Sequence, residues 1–239
     1  MSDKKLLAIV VSYNTDTNTK ILLSRFPKHN GFDILVINDG SVDRTQEYVD
    51  LSGFKTIAHP RNKGVGAAIK TGIKYAIENG YYAVAVIAGN NKDNPDEISK
   101  IFRPIIEQDY DYVQGSRFLA GGRWDNLPFF RYSMIKIHAF LFTVLTGKKC
   151  TDALNGFRSY RLSIFNDPSI NIWQDWLDRY EFETYLHYRA LKGGYRFKEV
   201  PVCKLYPKNK NVKYSHIRPI VDWWSILKPL PYLMIGFRR

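Results

Sequence analysis

Four short apolar runs, each followed by polar residues, Gly or Pro, constrain the fold of this chain more than any other feature. They are rich in β-branched or aromatic residues, as strands are, and cover residues 6–12, 33–38, 55–59 and 82–88. Helical patterns separate them, the clearest having Val65, Ile69, Ile73 and Ile77 at four-residue steps with Gly80 at its end. Strands that alternate with helices predict a mostly parallel sheet flanked by helices, a doubly wound α/β unit within residues 1–115.

The pattern changes after Gly115. Gly121-Gly122 indicates a loop, apolar helices are predicted over 129–146 and 176–192, and a further strand over 195–203. The chain has 239 residues, of which 45% are hydrophobic, and this is enough for one large domain with a sub-lobe.

The charge balance predicts anionic partners. A net charge of +12 suits nucleoside diphosphates, phospholipid headgroups or nucleic acid. Helix-turn-helix spacing, a zinc knuckle and ribonucleoprotein aromatic motifs are all missing from the sequence, so we expect no nucleic-acid partner.

The sequence also predicts where the protein resides. The N-terminal residues lack a signal-peptide pattern, and no run reaches the roughly 18 apolar residues of a spanning helix. Cys150 and Cys203 lie far apart without metal-ligand spacing, as expected for two reduced thiols. We therefore expect a cytoplasmic protein, peripheral at the inner face of the cell membrane.

The C-terminal segment from 206 to 239 interleaves basic residues with large apolar ones. The apolar members are Trp223, Trp224, Ile226, Leu227, Leu230, Leu233 and Ile235. Pro219, Pro229 and Pro231 argue against one long helix, so we expect short amphipathic pieces lying on an anionic membrane surface. The alternative is that these apolar residues pack against the protein's own domain.

Polar residues follow the predicted strands, at the sheet edge where open parallel sheets bind ligands. Ser12, Tyr13 and Asn14 follow the first strand, and Asp39 follows the second. Asp39 has the chemistry to accept a hydrogen bond from a nucleobase N–H, although a simple Asx turn explains it equally well. Lys63 and Gly64 precede a predicted helix, and the N-terminus of a helix favours binding of an anion. A glycine at a helix start is also explained by close packing of the helix on the rest of the protein.

Several motifs together resemble those of a known family. In chain order they are Val11-Ser12-Tyr13-Asn14, Val36-Ile37-Asn38-Asp39-Gly40-Ser41, the loop after Val84-Ala85-Val86-Ile87, Gly115-Ser116-Arg117 and Asn155-Gly156-Phe157-Arg158. This series is similar to the family 2 inverting glycosyltransferases of GT-A fold, particularly the branch that transfers sugars to polyprenyl phosphates, such as dolichol-phosphate mannose synthase. The resemblance extends from about Leu6 to about Val202.

The resemblance implies different roles for successive parts of the chain. A GT-A, Rossmann-like domain would occupy residues 1–205, with a nucleotide-sugar-binding half (1–115) and an acceptor half (116–205), followed by the amphipathic tail. The donor would contact the strand-end residues. These are Ser12, Tyr13, Asn14, Asp39, Lys63, Gly64, Gly89 and Asn90.

The metal site that the resemblance implies is altered here. The family's Asp-x-Asp corresponds to Ala88-Gly89-Asn90, which has no carboxylate. Asp93 is the nearest carboxylate, and one carboxylate plus the diphosphate makes an acceptable site for Mg²⁺ or Mn²⁺. Asp93 as metal ligand is therefore our expectation. Two alternatives stay open: Asp93 caps the following helix, or Arg and Lys side chains replace the metal.

The acceptor side is predicted from three residues. In the polyprenyl-phosphate branch, residues matching Arg117 and Arg131 grip the acceptor phosphate, although a solvated basic face fits these residue types equally well. Asp152 is the candidate general base for a hydroxyl acceptor, with Glu181 and Glu183 as alternatives. A phosphate acceptor needs no base, and Asp152 would then position other groups.

We therefore predict an inverting glycosyltransferase that moves a sugar from a nucleoside diphosphate sugar to a membrane-associated acceptor. That acceptor is a polyprenyl phosphate or a lipid-linked glycan in cell-surface polysaccharide assembly. The replacement of the two aspartates by Ala88 and Asn90 motivates the alternative of an inactive nucleotide-binding or scaffolding relative.

Overall fold

A seven-stranded sheet forms the centre of the computed structural model, which describes residues 4–27, 31–206 and 221–234. Its strand order is β3-β2-β1-β4-β7-β5-β8, and β6 pairs with β9 in a separate ribbon. The strands are β1 (Leu6–Ser12), β2 (Asp33–Asn38), β3 (Lys55–Ala58), β4 (Ala83–Ala88), β5 (Tyr112–Ser116), β6 (Arg123–Asp125), β7 (Arg158–Arg161), β8 (Phe197–Pro201) and β9 (Cys203–Leu205).

Helices cover both faces of this sheet. They are α1 (Asp16–Ser24), α2 (Thr45–Leu51), α3 (Val65–Glu78), α4 (Ile98–Glu107), α5 (Phe129–Thr146), α6 (Glu181–Lys192), α7 (Val221–Leu227) and α8 (Pro229–Met234). Short 3₁₀ turns lie at Pro95–Glu97, Leu162–Asn166 and Asp175–Leu177. Within the described residues, no helix combines the length and the apolar character needed to cross a membrane.

The first four strands are mutually parallel, so their carboxyl ends lie at one edge. Strand β1 pairs in parallel with β2 and β4, with Ser12 opposite Asn38 and Val11 opposite Ala88. In the seven-stranded sheet of the described residues, β7 alone is antiparallel to its neighbours, and it is inserted between β4 and β5. The prediction of a mostly parallel sheet flanked by helices is confirmed, and the edge holds the predicted donor residues.

Alternate residues of the central strands enter two different cores. Leu7 and Ile9 pack on one face with α3 and α6, whereas Ala8 and Val10 pack on the other face with α1 and α4. This two-sided burial is why these strands consist of continuous apolar residues rather than alternating polar and apolar ones.

Two buried histidines join α5 to α6 inside an aromatic cluster. The His187 ring lies 4.4 Å from the Phe142 ring and 4.8 Å from that of Tyr112, and His138 stacks on Phe142 at 5.9 Å. Neither histidine has a hydrogen-bond partner among the described residues. Burial, together with the nearby Arg158 charge, lowers the pKa of His138 to about 4 and that of His187 well below its usual value.

The described part of the C-terminal segment packs on the domain. Helices α7 and α8 lie against α6, and Ile226, Leu230 and Leu233 are buried, whereas Trp224 is 61% exposed. The Lys228 ammonium lies 2.5 Å from a carboxylate oxygen of Glu181. The predicted short helical pieces are present, but these three apolar residues meet protein rather than a bilayer. Ile235 and most of the basic residues lie outside the described residues.

We expect Leu230→Ala to lower the free energy of unfolding by about 2–4 kcal/mol, because it removes a side chain from the shared core. The exposed Trp224→Ala variant is the control, with an expected change within about 0.5 kcal/mol. Urea unfolding measures both. An equally small effect for Leu230→Ala would contradict the docking of α8.

Candidate active site

The loops that follow β1, β2 and β4 are joined by hydrogen bonds at the carboxyl edge of the sheet. The Asn14 amide donates to Ser41 Oγ at 3.0 Å, and Asn14 Oδ1 accepts from the Val42 amide at 2.9 Å. The Gly89 amide donates to the Val11 carbonyl at 2.7 Å. The structure therefore brings the predicted donor residues of these loops together.

Ser12 and Gly89 are in close contact beneath this edge. A Cβ atom at Gly89 would lie 2.0 Å from Ser12 Oγ, so only glycine fits there. Ser12 is fully buried and accepts a hydrogen bond from Thr19 Oγ1 at 3.3 Å. Ser12 and Gly89 thus shape the loops, while Tyr13 and Asn90 are partly exposed at their surface.

Asp39 holds the Asn62–Gly64 turn rather than presenting its carboxylate to solvent. It is 1% exposed and accepts from the Lys63 amide at 2.9 Å, the Gly64 amide at 2.8 Å and Asn62 Nδ2 at 2.8 Å. A His59 ring nitrogen lies 2.7 Å away. These four contacts use the accepting positions of a carboxylate. The Asp39 carboxylate is therefore engaged by the protein itself, and its contact with a nucleobase stays a prediction.

The start of α3 is covered by the chain preceding α6. The Ala67 amide donates to the Asp178 carbonyl at 2.9 Å, and a Cβ at Gly64 would lie 2.3 Å from the same oxygen. The Lys63 and Gly64 amides donate to Asp39, and a contact of these two residues with the donor stays a prediction. The Lys63 side chain is exposed.

Asp93 forms a buried ion pair with Lys204. Both carboxylate oxygens lie 2.7 Å from the Lys204 ammonium, which also donates to Asn155 Oδ1 at 2.9 Å. Asp93 is 1% exposed, and Asn94 rather than Asp93 caps the following 3₁₀ turn. The ammonium engages both oxygens of this carboxylate, and Asp93 as metal ligand stays a prediction. In the described ranges, no three His, Cys, Asp or Glu side chains cluster as metal ligands do.

Arg117 and Asp152 form a second buried ion pair. Asp152 Oδ2 accepts from the Arg117 amide at 3.0 Å and from Nε at 2.6 Å, and Oδ1 accepts from Nη2 at 2.7 Å. The remaining Nη1 donates to the Tyr206 hydroxyl at 2.6 Å. Both side chains are at most 2% exposed. Each group is thus engaged by the other, and the catalytic roles expected of Asp152 and Arg117 stay predictions.

Two further cations face the ring of Tyr206. The Lys92 ammonium lies 5.4 Å from the ring centroid, and the Arg131 guanidinium lies 5.9 Å from it. Burial lowers the pKa of Lys92 well below its usual value, and the charges of Lys204 and Arg131 lower it further. We call the set of Lys92, Arg117, Arg131 and Lys204 around Tyr206 the cation cluster.

The cation cluster carries more positive than negative charge. Among the described residues, its two carboxylates are Asp93 and Asp152, which pair with Lys204 and Arg117. Lys92 and Arg131 lie beside these two ion pairs, so an anion that entered the cluster would be attracted by the cations on all sides of Tyr206. Of the residues predicted for the acceptor side, Arg131 lies in this cluster over the Tyr206 ring, and its contact with an acceptor phosphate stays a prediction.

Sequence reasoning missed Lys92, Lys204 and Tyr206. The sequence could have identified Lys92, since this residue lies in the polar loop after an apolar strand, where ligand-binding residues were expected. Lys204 and Tyr206 follow the last predicted strand, where nothing in the local sequence distinguishes them from the basic segment beyond. They reach the site because β9 pairs with β6 and the Leu205 amide donates to the Lys92 carbonyl at 2.8 Å.

The Asn155–Arg158 motif is structural. Arg158 is 1% exposed and donates to the carbonyls of Ala153, Asn155 and Glu183 at 2.7–3.0 Å. Of the alternative bases, Glu181 is bound by Ser225 and Lys228, and Glu183 lies 3.9 Å from Arg158 Nε.

Comparison with known proteins agrees with this architecture. Residues 8–167 match the family described as Glycosyl transferase family 2. The UDP-N-acetylglucosamine--dolichyl-phosphate N-acetylglucosaminyltransferase of Methanococcus voltae is 28% identical over 236 residues, covering 91% of this chain and 92% of that protein. The polyprenol monophosphomannose synthase of Mycolicibacterium smegmatis is 26% identical over 208 residues, covering 83% and 77%.

A solved structure shares the fold. Glucosyl-3-phosphoglycerate synthase from Mycobacterium tuberculosis, in complex with Mn²⁺, UDP and glucosyl-3-phosphoglycerate, superimposes with a TM-score of 0.65 at 11% identity. The match covers 98% of this chain and 79% of that one. Because the family match spans more than half of the sequence and this neighbour shares the fold, the chain belongs to glycosyl transferase family 2 and is a glycosyltransferase of GT-A fold.

Proposed function

We propose that this enzyme transfers a sugar, with inversion, from a nucleoside diphosphate sugar to the phosphate of a lipid-linked acceptor at the inner membrane surface. The observation that carries the proposal is the cation cluster, whose two carboxylates are both ion-paired. A site in which the cations outnumber the carboxylates among the described residues, and in which both of those carboxylates are ion-paired, suits two phosphorylated substrates.

The chemistry follows from these residues. An oxygen of the acceptor phosphate attacks the anomeric carbon from the side opposite the diphosphate, and the bond from that carbon to the diphosphate oxygen breaks. A phosphate oxygen is already ionised near neutral pH, so the attack needs no general base. This explains how a transferase functions with Asp152 held by three Arg117 N–H groups. The positive field of the cluster stabilises the charge that develops on the leaving diphosphate.

The relatives support this acceptor class. The Methanococcus voltae protein is named for a dolichyl phosphate acceptor, and the Mycolicibacterium smegmatis protein for a polyprenol. A hydroxyl of a lipid-linked glycan would need a proton acceptor, and the described carboxylates of the cluster are both engaged. A role in assembling cell-envelope polysaccharide is consistent with such an acceptor.

One face of α5 supports contact with the membrane. Ile137, Phe140, Leu141 and Val144 lie on the same side of this helix, and they are 42–67% exposed. The exposed lysines Lys136, Lys148 and Lys149 border this α5 face. Apolar side chains flanked by lysines suit the headgroup region of an anionic bilayer. Since Arg131 lies in the first turn of α5, this contact would bring a lipid-borne phosphate toward the cluster.

We expect the enzyme to glycosylate a short polyprenyl phosphate but not the corresponding polyprenol. Arg131→Met should raise the KM for the phosphate acceptor about 10- to 100-fold, the range for losing a hydrogen bond to a charged group. Arg103→Met, on the exposed side of α4, is the control. Equal transfer to both acceptors would contradict a phosphate acceptor, and no transfer with any donor would favour the inactive relative.

We expect Asp39→Ala to weaken nucleotide binding by about 1–3 kcal/mol, because the Lys63 and Gly64 amides lose their acceptor and the loop beside the donor site relaxes. Calorimetric titration with nucleoside diphosphates measures this. Val42→Ala, at an exposed position in the neighbouring loop, is the control. Unchanged affinity in Asp39→Ala would separate this turn from the donor site.

We expect the double variant Phe140→Ser/Val144→Ser to lose binding to anionic phospholipid vesicles in a sedimentation assay at low salt. Leu51→Ser, an exposed apolar position on α2, should bind like the unaltered protein. Unaltered binding by the double variant would exclude the α5 face and leave the C-terminal segment as the membrane contact.

A further inference from the structure

A surface cavity lies at the edge of the sheet opposite the candidate active site. Its volume is about 350 Å³, and small-molecule sites have volumes of about 300–1,000 Å³. The side chains that line it belong to Lys148, Lys149, Arg196, Tyr110, Tyr195 and Phe197. The cavity lies where β5 and β8 begin, whereas the candidate active site lies where the parallel strands end. The two sites are therefore separate.

Three cations meet at this cavity, and no carboxylate is among the described residues that line it. Lys148 and Lys149 are exposed, and neither forms an ion pair within the described part of the chain. Arg196 shares Asp109 with Arg161, so that one exposed carboxylate faces two guanidinium groups. The cavity thus has a net positive charge, which favours an anionic ligand.

The end of a helix explains only part of this charge. Lysines that follow the last turn of α5 are favoured by the helix dipole, whose effect is confined to that turn. Arg196 comes from a different segment, directly before β8, and its guanidinium lies 5.1 Å from the centroid of the Tyr110 ring. Cations from two separate segments therefore converge on a cavity with aromatic walls.

The cavity adjoins the exposed apolar face of α5. Val144 is 64% exposed and precedes Lys148 by about one helical turn. Gly147 ends the helix with a φ of 70°, a left-handed conformation that favours glycine. Helix α5 has 18 residues and is about 27 Å long, with Arg131 in its first turn and the cavity at its other end. A membrane in contact with the α5 face would therefore meet the cavity.

We propose that this cavity binds the phosphate of an anionic phospholipid headgroup, with the acyl chains of that lipid in contact with the α5 face. Lys148 and Lys149 supply point charges, and the planar guanidinium of Arg196 suits two phosphate oxygens. The inference rests on the membrane contact in the proposed function and is independent of sugar transfer. A lipid bound here holds the far end of α5 at the bilayer surface.

Sedimentation with vesicles of phosphatidylcholine, with and without phosphatidylglycerol, tests the site. Lys148→Gln/Lys149→Gln should weaken binding to the mixed vesicles about 30-fold, since each lysine at an anionic surface contributes roughly fivefold. The control Lys20→Gln/Arg103→Gln removes two exposed charges from α1 and α4, on the opposite face of the sheet. Its binding should stay within about twofold, because salt screens charges far from the bilayer.

Two outcomes of this assay would overturn the proposal. Equal losses in both double variants would indicate an effect of net charge alone. Unaltered binding by Lys148→Gln/Lys149→Gln would show that the cavity takes no part in contact with the membrane.

Calorimetric titration with sn-glycerol 3-phosphate distinguishes a lipid headgroup from a soluble phosphate. We expect this compound to bind at least about 100-fold more weakly than the mixed vesicles, because it has no acyl chains to contact the α5 face. Equal affinity for the two would overturn the assignment to a lipid and indicate a soluble phosphorylated ligand.

Sugar transfer to a short polyprenyl phosphate in solution, without vesicles, separates this inference from the proposed function. Lys148→Gln/Lys149→Gln should keep the kcat, the KM and the Tm of the unaltered protein, because both lysines are exposed and the cavity lies at the opposite edge of the sheet. A lower kcat in solution would contradict a role confined to the membrane. No transfer by the unaltered protein, with the expected vesicle results, would contradict the proposed function and support the headgroup site.

Discussion

The ion pair between Lys204 and Asp93 is the interaction on which the arrangement of the site depends. The ammonium bonds the loop after β4 to β9 and, through Asn155, to the loop before β7. Breaking a buried pair of this kind costs about 3–5 kcal/mol, because it leaves a desolvated charge behind. The same pair affects the electrostatics of the site, since it neutralises the loop's carboxylate within a cluster that also contains Lys92 and Arg131.

Much of the fold follows from local sequence. Strands β1 and β2 and helix α5 begin and end at the predicted residues, because continuous apolar strands and a long apolar helix have strong local patterns. Strand β7 was not foreseen. Its four residues include the buried charge of Arg158, and it exists because β4 and β5 leave space for an antiparallel partner. Such a strand depends on tertiary pairing rather than on its own composition.

The positions of the site residues were more predictable than their roles. Strand ends identified Ser12, Asn14, Asp39 and Asp93 correctly as neighbours of one edge. Their partners come from distant parts of the sequence: Lys204 lies 111 residues from Asp93, and Asp152 lies 35 residues from Arg117. No spacing rule reveals which carboxylate pairs with which cation, so Asp93 and Asp152 were assigned as if they were available for ligands.

The two neutral histidines between α5 and α6 make the stability of this fold depend on pH. In the unfolded chain both imidazoles take up protons below about pH 6.5, whereas the aromatic cluster keeps them uncharged. Their folded pKa values lie below the unfolded ones, so stability is complete above that pH and declines as acid is added. For His138 alone the loss approaches roughly 3 kcal/mol near pH 4. Helix α5 is thus packed on the domain through a cluster that acid destabilises. If this helix also makes the membrane contact that we propose, low pH would weaken both the fold and that contact.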